Sequence, residues 1–399
     1  MRIKILNCIL GTPLLVGGVL PIVGCSCNAH HDPQPEPELP DLCFQKDENA
    51  TEDPDISFSA GGGIIDSIHI QYKLNNEQWK DWPINEYGEG ESKTLHNGDK
   101  LYVRNTTETL STQRDGSYNH FQFASSGMGG DGKLIKASGN INSLVNYAEV
   151  LPANSFSSLF YECYALTTAP DISFQTVKAY SCYDMFHGCS NLTTAPDTLP
   201  AQTLEEGCYS NMFEGCWALE NAPELPAEQL AEGCYSYMFS SCRILETAPD
   251  LLADGLAKNC YYHMFENCLA LENAPELPAE QLAEGCYSYM FEGCNVLETA
   301  PNLPAQQLAE RCYENMFWKC TSLKNAPELL ALNLPGKCYY CMFQDCESLK
   351  VNEDGEGTKI FTCPSGVSGQ AVTYMFLDAG GTFKGETPTA GHTYYWYTE

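Results

Sequence analysis

Apolar residues recur through the middle of the chain in one pattern of about 26 residues, which is repeated eight times. Each unit has a Phe, a Cys three residues later and a Leu three residues after that Cys, as at Phe239, Cys242 and Leu245. The Phe residues that begin these cores are Phe160, Phe186, Phe213, Phe239, Phe265, Phe291, Phe317 and Phe343. A fixed period in this range predicts a solenoid, in which each unit buries its apolar face against its neighbours.

The proline and polar positions between these cores divide each unit into elements. An Ala-Pro pair follows the Leu, as at Ala248 and Pro249, and a Pro cannot donate a ladder hydrogen bond. A short strand is therefore predicted at about residues 245–248 and at the equivalent positions of the other units. Residues 279–285 hold good helix formers and are expected to form one helical turn on the outer side. This combination predicts an α/β repeat solenoid over residues 151–350.

The core that runs from Phe239 through Cys242 to Leu245 resembles the BspA-type, or treponemal-type, leucine-rich repeat. The likeness covers about half of the chain. It departs from the family pattern in a longer unit, in the Met before most of the Phe residues, and in Cys and Ala where the family has Ile. The resemblance implies a right-handed leucine-rich-repeat solenoid with short strands. It also implies a surface protein of a host-associated microbe that functions in adhesion and protein binding.

Two β-rich regions are predicted on either side of the repeats. In residues 56–150, short alternating runs separated by Asn and Gly turns predict a small all-β domain of sandwich or barrel-like form. In residues 351–399, the Gly380-Gly381 pair and the aromatic run that begins at Tyr394 predict a closing β-hairpin. Such a cap is expected because a solenoid must cover its last open edge.

The N-terminal segment predicts export and lipid anchoring. Residues 1–24 begin with a short positive stretch and continue as an apolar run, which is typical of a secretory signal peptide. Residues 22–25 resemble a bacterial lipobox, which implies cleavage after Gly24 and diacylglycerol on the Cys25 thiol. The alternative is an ordinary cleaved signal followed by a chance Cys. Lipid on Cys25 would make the chain a membrane-anchored lipoprotein of the cell envelope, exposed at the cell surface or outside the cell.

The residues after the predicted lipid anchor have a different composition. Residues 25–55 are rich in Pro and acidic residues and poor in apolar ones, which predicts a disordered tether. No later segment reaches the roughly 18 apolar residues of a membrane-spanning helix. The membrane is therefore expected to be contacted only through the lipid.

Charge and composition narrow the classes of partner. The 399 residues carry a formal net charge of −31, which opposes binding to nucleic-acid phosphates and suits a basic partner or a cation-rich setting. The apolar fraction of 43% is large enough for a real core. The histidines are scattered, and none stands at a motif spacing from a nucleophile or a paired carboxylate. No enzyme, no metal site and no cofactor is therefore predicted.

Cysteine fills two positions of the repeat, as at Cys234 and Cys242. In an exported protein these residues are candidates for a disulfide framework. The alternative, which the repeat pattern favours, is two columns of small buried thiols, because free Cys is among the most buried residue types.

Three columns of equivalent positions form the candidate binding face. Acidic residues follow the core Leu at Glu220, Glu246, Glu272 and Glu298, and others follow the Pro at Glu224, Asp250 and Glu276. The third column contains Tyr235, Tyr261 and Tyr287. The acidic columns are either a solvated face or a site for a basic partner or calcium. The Tyr column either packs between units or grips a glycan.

These features together predict a monomeric, non-catalytic surface lipoprotein that binds or adheres to macromolecules of host or neighbouring cells through one face of the repeats. The partner is expected to be a protein or a glycan and not a nucleic acid. Glycan capture for nutrient uptake is the alternative from another class, and a structural spacer is the third.

Overall fold

The computed structural model describes residues 40–61, 68–107, 110, 112–114, 117–119, 121–125, 132–367 and 370–398. The predicted signal peptide, Cys25 and the first part of the predicted tether lie outside the described residues. All of the described residues belong to one compact unit. No helix among them is long and apolar enough to cross a membrane.

Short strands make up almost all of the regular structure before the repeats. They are β1 Leu42–Lys46, β2 Asp55–Ala60, β3 Ile70–Leu74, β4 Lys80–Asp81, β5 Lys93–Thr94, β6 Leu101–Asn105, β7 Thr112–Arg114, β8 Ser117–Asn119, β9 Phe121–Ser125 and β10 Ile135–Ser138. A 3₁₀ helix follows at Ile141–Val145. A six-stranded sheet has the order β12-β10-β1-β6-β3-β4, where β12 is Leu166–Thr168 of the first repeat. A three-stranded sheet has the order β5-β2-β9, and β7 pairs with β8.

Strand β1 corrects the predicted extent of the tether. It lies between β10 and β6 and is antiparallel to both, with Cys43 opposite Ser138 on one side and Tyr102 on the other. Leu42 and Phe44 are fully buried in the core. The boundary at residue 55 is therefore wrong, because this short apolar run buries enough surface to pair even though prolines and acidic residues surround it.

The N-terminal sheet continues into the repeats without a break. Strand β10 pairs in parallel with β12, with Ile135 opposite Leu166. From β12 onward, single parallel bridges join Thr168 to Thr194 and Thr194 to Asn221. A second ladder joins β11 Val150–Leu151, β13 Thr176–Val177 and β14 Thr203–Leu204 in parallel. The predicted division at residue 150 therefore cuts through a shared sheet and a shared core.

Side chains at equivalent positions stack from one unit to the next. The rings from Phe160 to Phe343 lie within 9° of parallel, with neighbouring centroids 5.2 to 5.8 Å apart. The rings from Tyr209 to Tyr339 form a second column with spacings of 5.7 to 6.0 Å. Burial of the same apolar positions in every unit explains why the sequence repeats so closely.

The segment of each unit that carries these rings is a run of turns. Alternate amides bond within the unit, as Met238 N to Tyr235 O at 3.3 Å, and the others bond to the next unit, as Phe239 N to Met264 O at 2.9 Å. Every fourth residue has a positive φ, as at Tyr237 (55°) and Ser241 (61°). The backbone polar groups of this segment are thus satisfied without helix or extended strand.

Two predicted elements of the repeat are corrected. Residues 279–285 form no helical turn, because Gln281 pairs with Gln307 of the next unit in a parallel bridge. Helix nucleation is costly for so short a segment, and neighbour pairing replaces it. The strand predicted at residues 245–248 is reduced to a single bridge between Thr247 and Asn273. The described repeats are rich in bridges and turns and contain no α-helix, so the predicted α/β class is wrong in its α part.

The C-terminal residues form a four-stranded sheet. The strands are β15 Lys350–Glu353, β16 Thr358–Thr362, β17 Gly380–Gly381 and β18 Thr393–Trp396, in the order β16-β18-β15-β17. Strand β18 is antiparallel to β15 and β16, whereas β17 is parallel to β15, so the predicted hairpin between Gly380 and Tyr394 is wrong. Phe376 stacks on Phe343 at 5.9 Å and Tyr394 packs on Phe376 at 5.5 Å. Phe376, in the turns before β17, therefore covers the end of the Phe column, and Tyr394 of β18 packs behind it.

Candidate functional site

The two cysteine columns consist of buried thiols, the alternative that the repeat pattern favoured over a disulfide framework. The 18 cysteines in the described part of the chain are free and buried. In the second column each thiol donates to the carbonyl of a Phe 29 or 30 residues earlier, as Cys268 to Phe239 at 3.1 Å. Burial raises the pKa of the thiols in both columns, to about 12 for Cys208 and Cys260 of the first column. They are therefore protonated donors and poor nucleophiles at neutral pH.

The tyrosine column does not form a binding face. Tyr235, Tyr261 and Tyr287 are only 1 to 2% exposed, and each ring is stacked between the tyrosines of the adjacent units. The structure thus supports packing between units and contradicts the proposed glycan contact. A ring whose two faces are covered by other rings offers no platform for a sugar.

The first acidic column is open to solvent. Glu220, Glu246, Glu272 and Glu298 are all exposed. The backbone holds their units next to each other, with Glu272 N bonded to Glu246 O at 3.3 Å. Lys324 of the following unit binds Glu298 at 2.5 Å, but within the described residues the other three carboxylates have no ion-pair partner. Equal charges at neighbouring positions raise the local negative potential.

The second acidic column has the same character. Glu224, Asp250 and Glu276 are exposed, and no basic side chain of the described residues pairs with them. Glu328, in the same position of a later unit, pairs with Lys359 at 3.2 Å. Among the described residues, the carboxylates of both columns thus have ion-pair partners only towards the C-terminal end, and those of the middle units are unpaired.

An exposed apolar row lies beside the first acidic column, and sequence reasoning missed it. It consists of Trp217, Ile244, Leu269 and Val296, with exposures of 48, 46, 40 and 41%. These residues follow the buried second Cys by one or two positions and precede the buried Leu. The Cys and Leu side chains take the core, so the residues between them face solvent. We call this row together with the first acidic column the acidic–apolar strip.

Sequence reasoning also missed a polar cluster around His263. His263 is 8% exposed, and its ring is stacked between Tyr237 and Tyr289 at 4.5 and 4.2 Å. Its Nδ1 lies 2.7 Å from a carboxylate oxygen of Glu266. One ligand atom from each of His263, Glu266 and Glu292 lies within 4.8 Å of the others.

Aligning the units by their Phe would have revealed both features. Glu266 and Glu292 occupy the position directly after the Phe in consecutive units, and His263 lies two positions before the same Phe. Linear spacing hides the association, because the second carboxylate is a whole unit away from the histidine. The strip is hidden for the same reason, since its apolar members are a unit apart.

Comparisons with known proteins add one similar structure. No family model and no curated protein matches the chain. The chain is similar to the crystal structure of a leucine-rich repeat protein from Bacteroides ovatus ATCC 8483, with 16% sequence identity and a TM-score of 0.23. The similarity covers 70% of this chain and 80% of that chain. The more specific BspA-type lipoprotein character stays a prediction.

Proposed function

We propose that the protein is a lipid-anchored, non-catalytic binding protein of the bacterial cell surface, built on a right-handed solenoid of BspA-type leucine-rich repeats. Its binding surface is the acidic–apolar strip, and its partner is a basic protein surface on a host or neighbouring cell. The observation that carries this proposal is the exposure of Trp217, Ile244, Leu269 and Val296 beside the first acidic column. Three of its exposed glutamates have no ion-pair partner among the described residues.

The chemistry of the strip defines the partner. The four apolar side chains are exposed in consecutive units, and exposed apolar patches are typical of interaction surfaces. Aromatic residues such as Trp217 are enriched at interfaces, and the unpaired carboxylates of Glu220, Glu246 and Glu272 favour Lys and Arg on the partner. A surface of basic residues around an apolar centre is complementary to this arrangement, whereas a nucleic acid is repelled by it.

Glycan capture is the weaker proposal. It depended on the faces of Tyr235, Tyr261 and Tyr287, which are covered by one another. A structural spacer is also less favourable, because a spacer has no need of an exposed apolar row that adds a risk of aggregation.

Parallel binding to protein and glycan arrays tests the proposal. The full chain is applied to extracellular proteins that span a range of isoelectric points and to a glycan array. The proposal expects signals on basic proteins that weaken with salt, and none on glycans. Carbohydrate signals without protein signals would contradict the proposal and favour glycan capture.

A variant with Trp217→Ser and Leu269→Ser identifies the surface. Both side chains are exposed, so the fold should persist, and the array signals on basic proteins should fall. Leu252→Ser, at another exposed apolar position of the repeats, is the matched control and should keep them. Equal loss in both variants would mean that the strip is not the binding surface.

A further inference from the structure

Three potential metal ligands converge on one side of the central units. They are one ring nitrogen of His263 and one carboxylate oxygen from each of Glu266 and Glu292, which all lie within 4.8 Å of one another. The Nδ1 atom of His263 is the nitrogen that contacts Glu266, at 2.7 Å. His263 and Glu266 come from one unit, and Glu292 comes from the next. The cluster therefore exists only because adjacent units lie in register.

The histidine is held rigidly in place. Its ring lies within 10° of parallel to the rings of Tyr237 and Tyr289, which cover both of its faces. The backbone of His263 has a positive φ of 54° and donates from its N–H to the carbonyl of Ser288 at 3.0 Å. A ring fixed in this way directs Nδ1 at Glu266 without further ordering, and preorganised ligands bind more tightly.

The two carboxylates lack a compensating cation. Within the described residues neither Glu266 nor Glu292 forms an ion pair with a Lys or Arg; Lys319 acts on Glu292 only from a distance. Burial, with the charge of Glu266 as the second cause, raises the pKa of Glu292 to about 7. By contrast Glu314, one unit further along, is bound by Lys337 at 3.2 Å.

The ligand set selects the class of ion. One imidazole nitrogen with carboxylate oxygens suits Zn²⁺ and related first-row ions. Calcium takes six to eight oxygens and is a poor match. Ligands of a tetrahedral Zn²⁺ ion lie about 3–3.5 Å apart, so binding requires the 2.7 Å contact between Nδ1 and Glu266 to open slightly. The Glu292 carboxylate oxygen already lies within 4.8 Å of the other two ligand atoms.

We propose that His263, Glu266 and Glu292 bind one divalent transition-metal ion of the Zn²⁺ type. His263 Nδ1 and one oxygen of each glutamate are the protein ligands, and the fourth position is left to water. Asn267 donates to the other oxygen of Glu266 at 3.2 Å and so orients that carboxylate from outside the ligand set. The ion joins two consecutive units and neutralises their adjacent carboxylates.

Titration of the metal-free full chain with ZnCl₂ tests this proposal. Binding is followed by calorimetry and by the rise in melting temperature, with CaCl₂ as the comparison ion. The parent should bind one more Zn²⁺ equivalent than His263→Phe, which keeps an aromatic ring between Tyr237 and Tyr289. Glu292→Gln should weaken this site by at least about tenfold, and zinc should raise the melting temperature of the parent more than that of either variant.

Glu272→Gln is the matched control, because it removes one exposed carboxylate from the same unit as His263. Its zinc titration should superimpose on that of the parent. If His263→Phe fails to fold, the double variant Glu266→Gln with Glu292→Gln takes its place. Zinc titrations of a folded ligand variant and the parent that coincide would overturn the proposal.

Discussion

The thiol of Cys242 donates a hydrogen bond to the backbone carbonyl oxygen of Phe213, at an Sγ-to-oxygen distance of 3.2 Å. The same bond recurs through the repeats, as from Cys294 to Phe265. It explains why cysteine suits this position, because a small apolar side chain fills the space while its weak donor adds a hydrogen bond to a backbone carbonyl. The column is thus a means of packing, and its cysteines do not cross-link.

Free thiols should therefore appear in number when the protein unfolds. Protein denatured without reductant should titrate close to the 18 thiols that are free in the described residues, whereas the native protein should react slowly. The reason is that burial both blocks access and raises the thiol pKa. Titration with a chromogenic thiol reagent measures both states. A count near zero in the denatured protein would establish a disulfide framework instead.

Loss of a stacked ring should be far more damaging than loss of a thiol. Phe265→Ala removes a fully buried ring from the Phe column and should cost roughly 3–5 kcal/mol of unfolding free energy, whereas Cys268→Ala should cost on the order of 1 kcal/mol. Urea denaturation of both variants gives the comparison. Phe265→Leu is the graded control, with an intermediate loss. Equal losses for Phe265→Ala and Cys268→Ala would contradict the proposed packing.

Glu292 should make stability depend on pH. Its pKa is about 7 in the folded protein, above the ordinary value of 4.5, because of burial and the nearby charge of Glu266, with Lys319 opposing. The folded state thus holds a proton that the unfolded state releases. The stabilisation is complete below about pH 4.5 and is lost as the pH rises through 7.

The matched variant for this effect is Glu292→Gln, which resembles the protonated acid. Denaturation is measured between about pH 5 and 8 with a metal chelator present. As the pH rises over this range, the free energy of unfolding of the parent should fall by on the order of 2 kcal/mol more than that of the variant. His187, whose pKa is raised chiefly by the Glu214 carboxylate 3.6 Å away, titrates in both proteins and cancels in the difference. If the unfolding free energies of the parent and Glu292→Gln changed with pH in parallel, the raised pKa of Glu292 would be contradicted.

The sequence predicted the repeat and its core well, because identical slots impose identical apolar residues. It also predicted the buried thiols and the exposed position of Glu246. It failed at β1 and at residues 279–285, where pairing partners far away in the sequence override local composition and helix propensity. The burial of Tyr261 and the meeting of His263 with Glu292 depend on the register between units. Neither follows from the spacing within one unit.

Lipid attachment is tested at the residue that the lipobox resemblance identifies. Cys25→Ser should move the protein from the membrane fraction to the soluble fraction, because its only predicted membrane attachment is removed. Cell fractionation with labelled fatty acid follows both the location and the acylation. Ser26→Ala, a change directly beside the site, is the control and should stay in the membrane fraction. Membrane retention and unchanged labelling of Cys25→Ser would show that Cys25 is not the site of lipid attachment.

The salt dependence of partner binding tests the central claim about the acidic–apolar strip most directly. Glu220, Glu246, Glu272 and Glu298 are changed together to Gln, which should leave stability unchanged or slightly higher because like charges are removed. Binding of the basic protein with the strongest array signal is then measured from about 50 to 500 mM NaCl. The parent should bind tightly at low salt and weaken steeply, whereas the variant should bind weakly with a flat dependence. If the parent and the variant had equal affinity at low salt and equal dependence of affinity on salt concentration, the four carboxylates would serve only as a solvated surface.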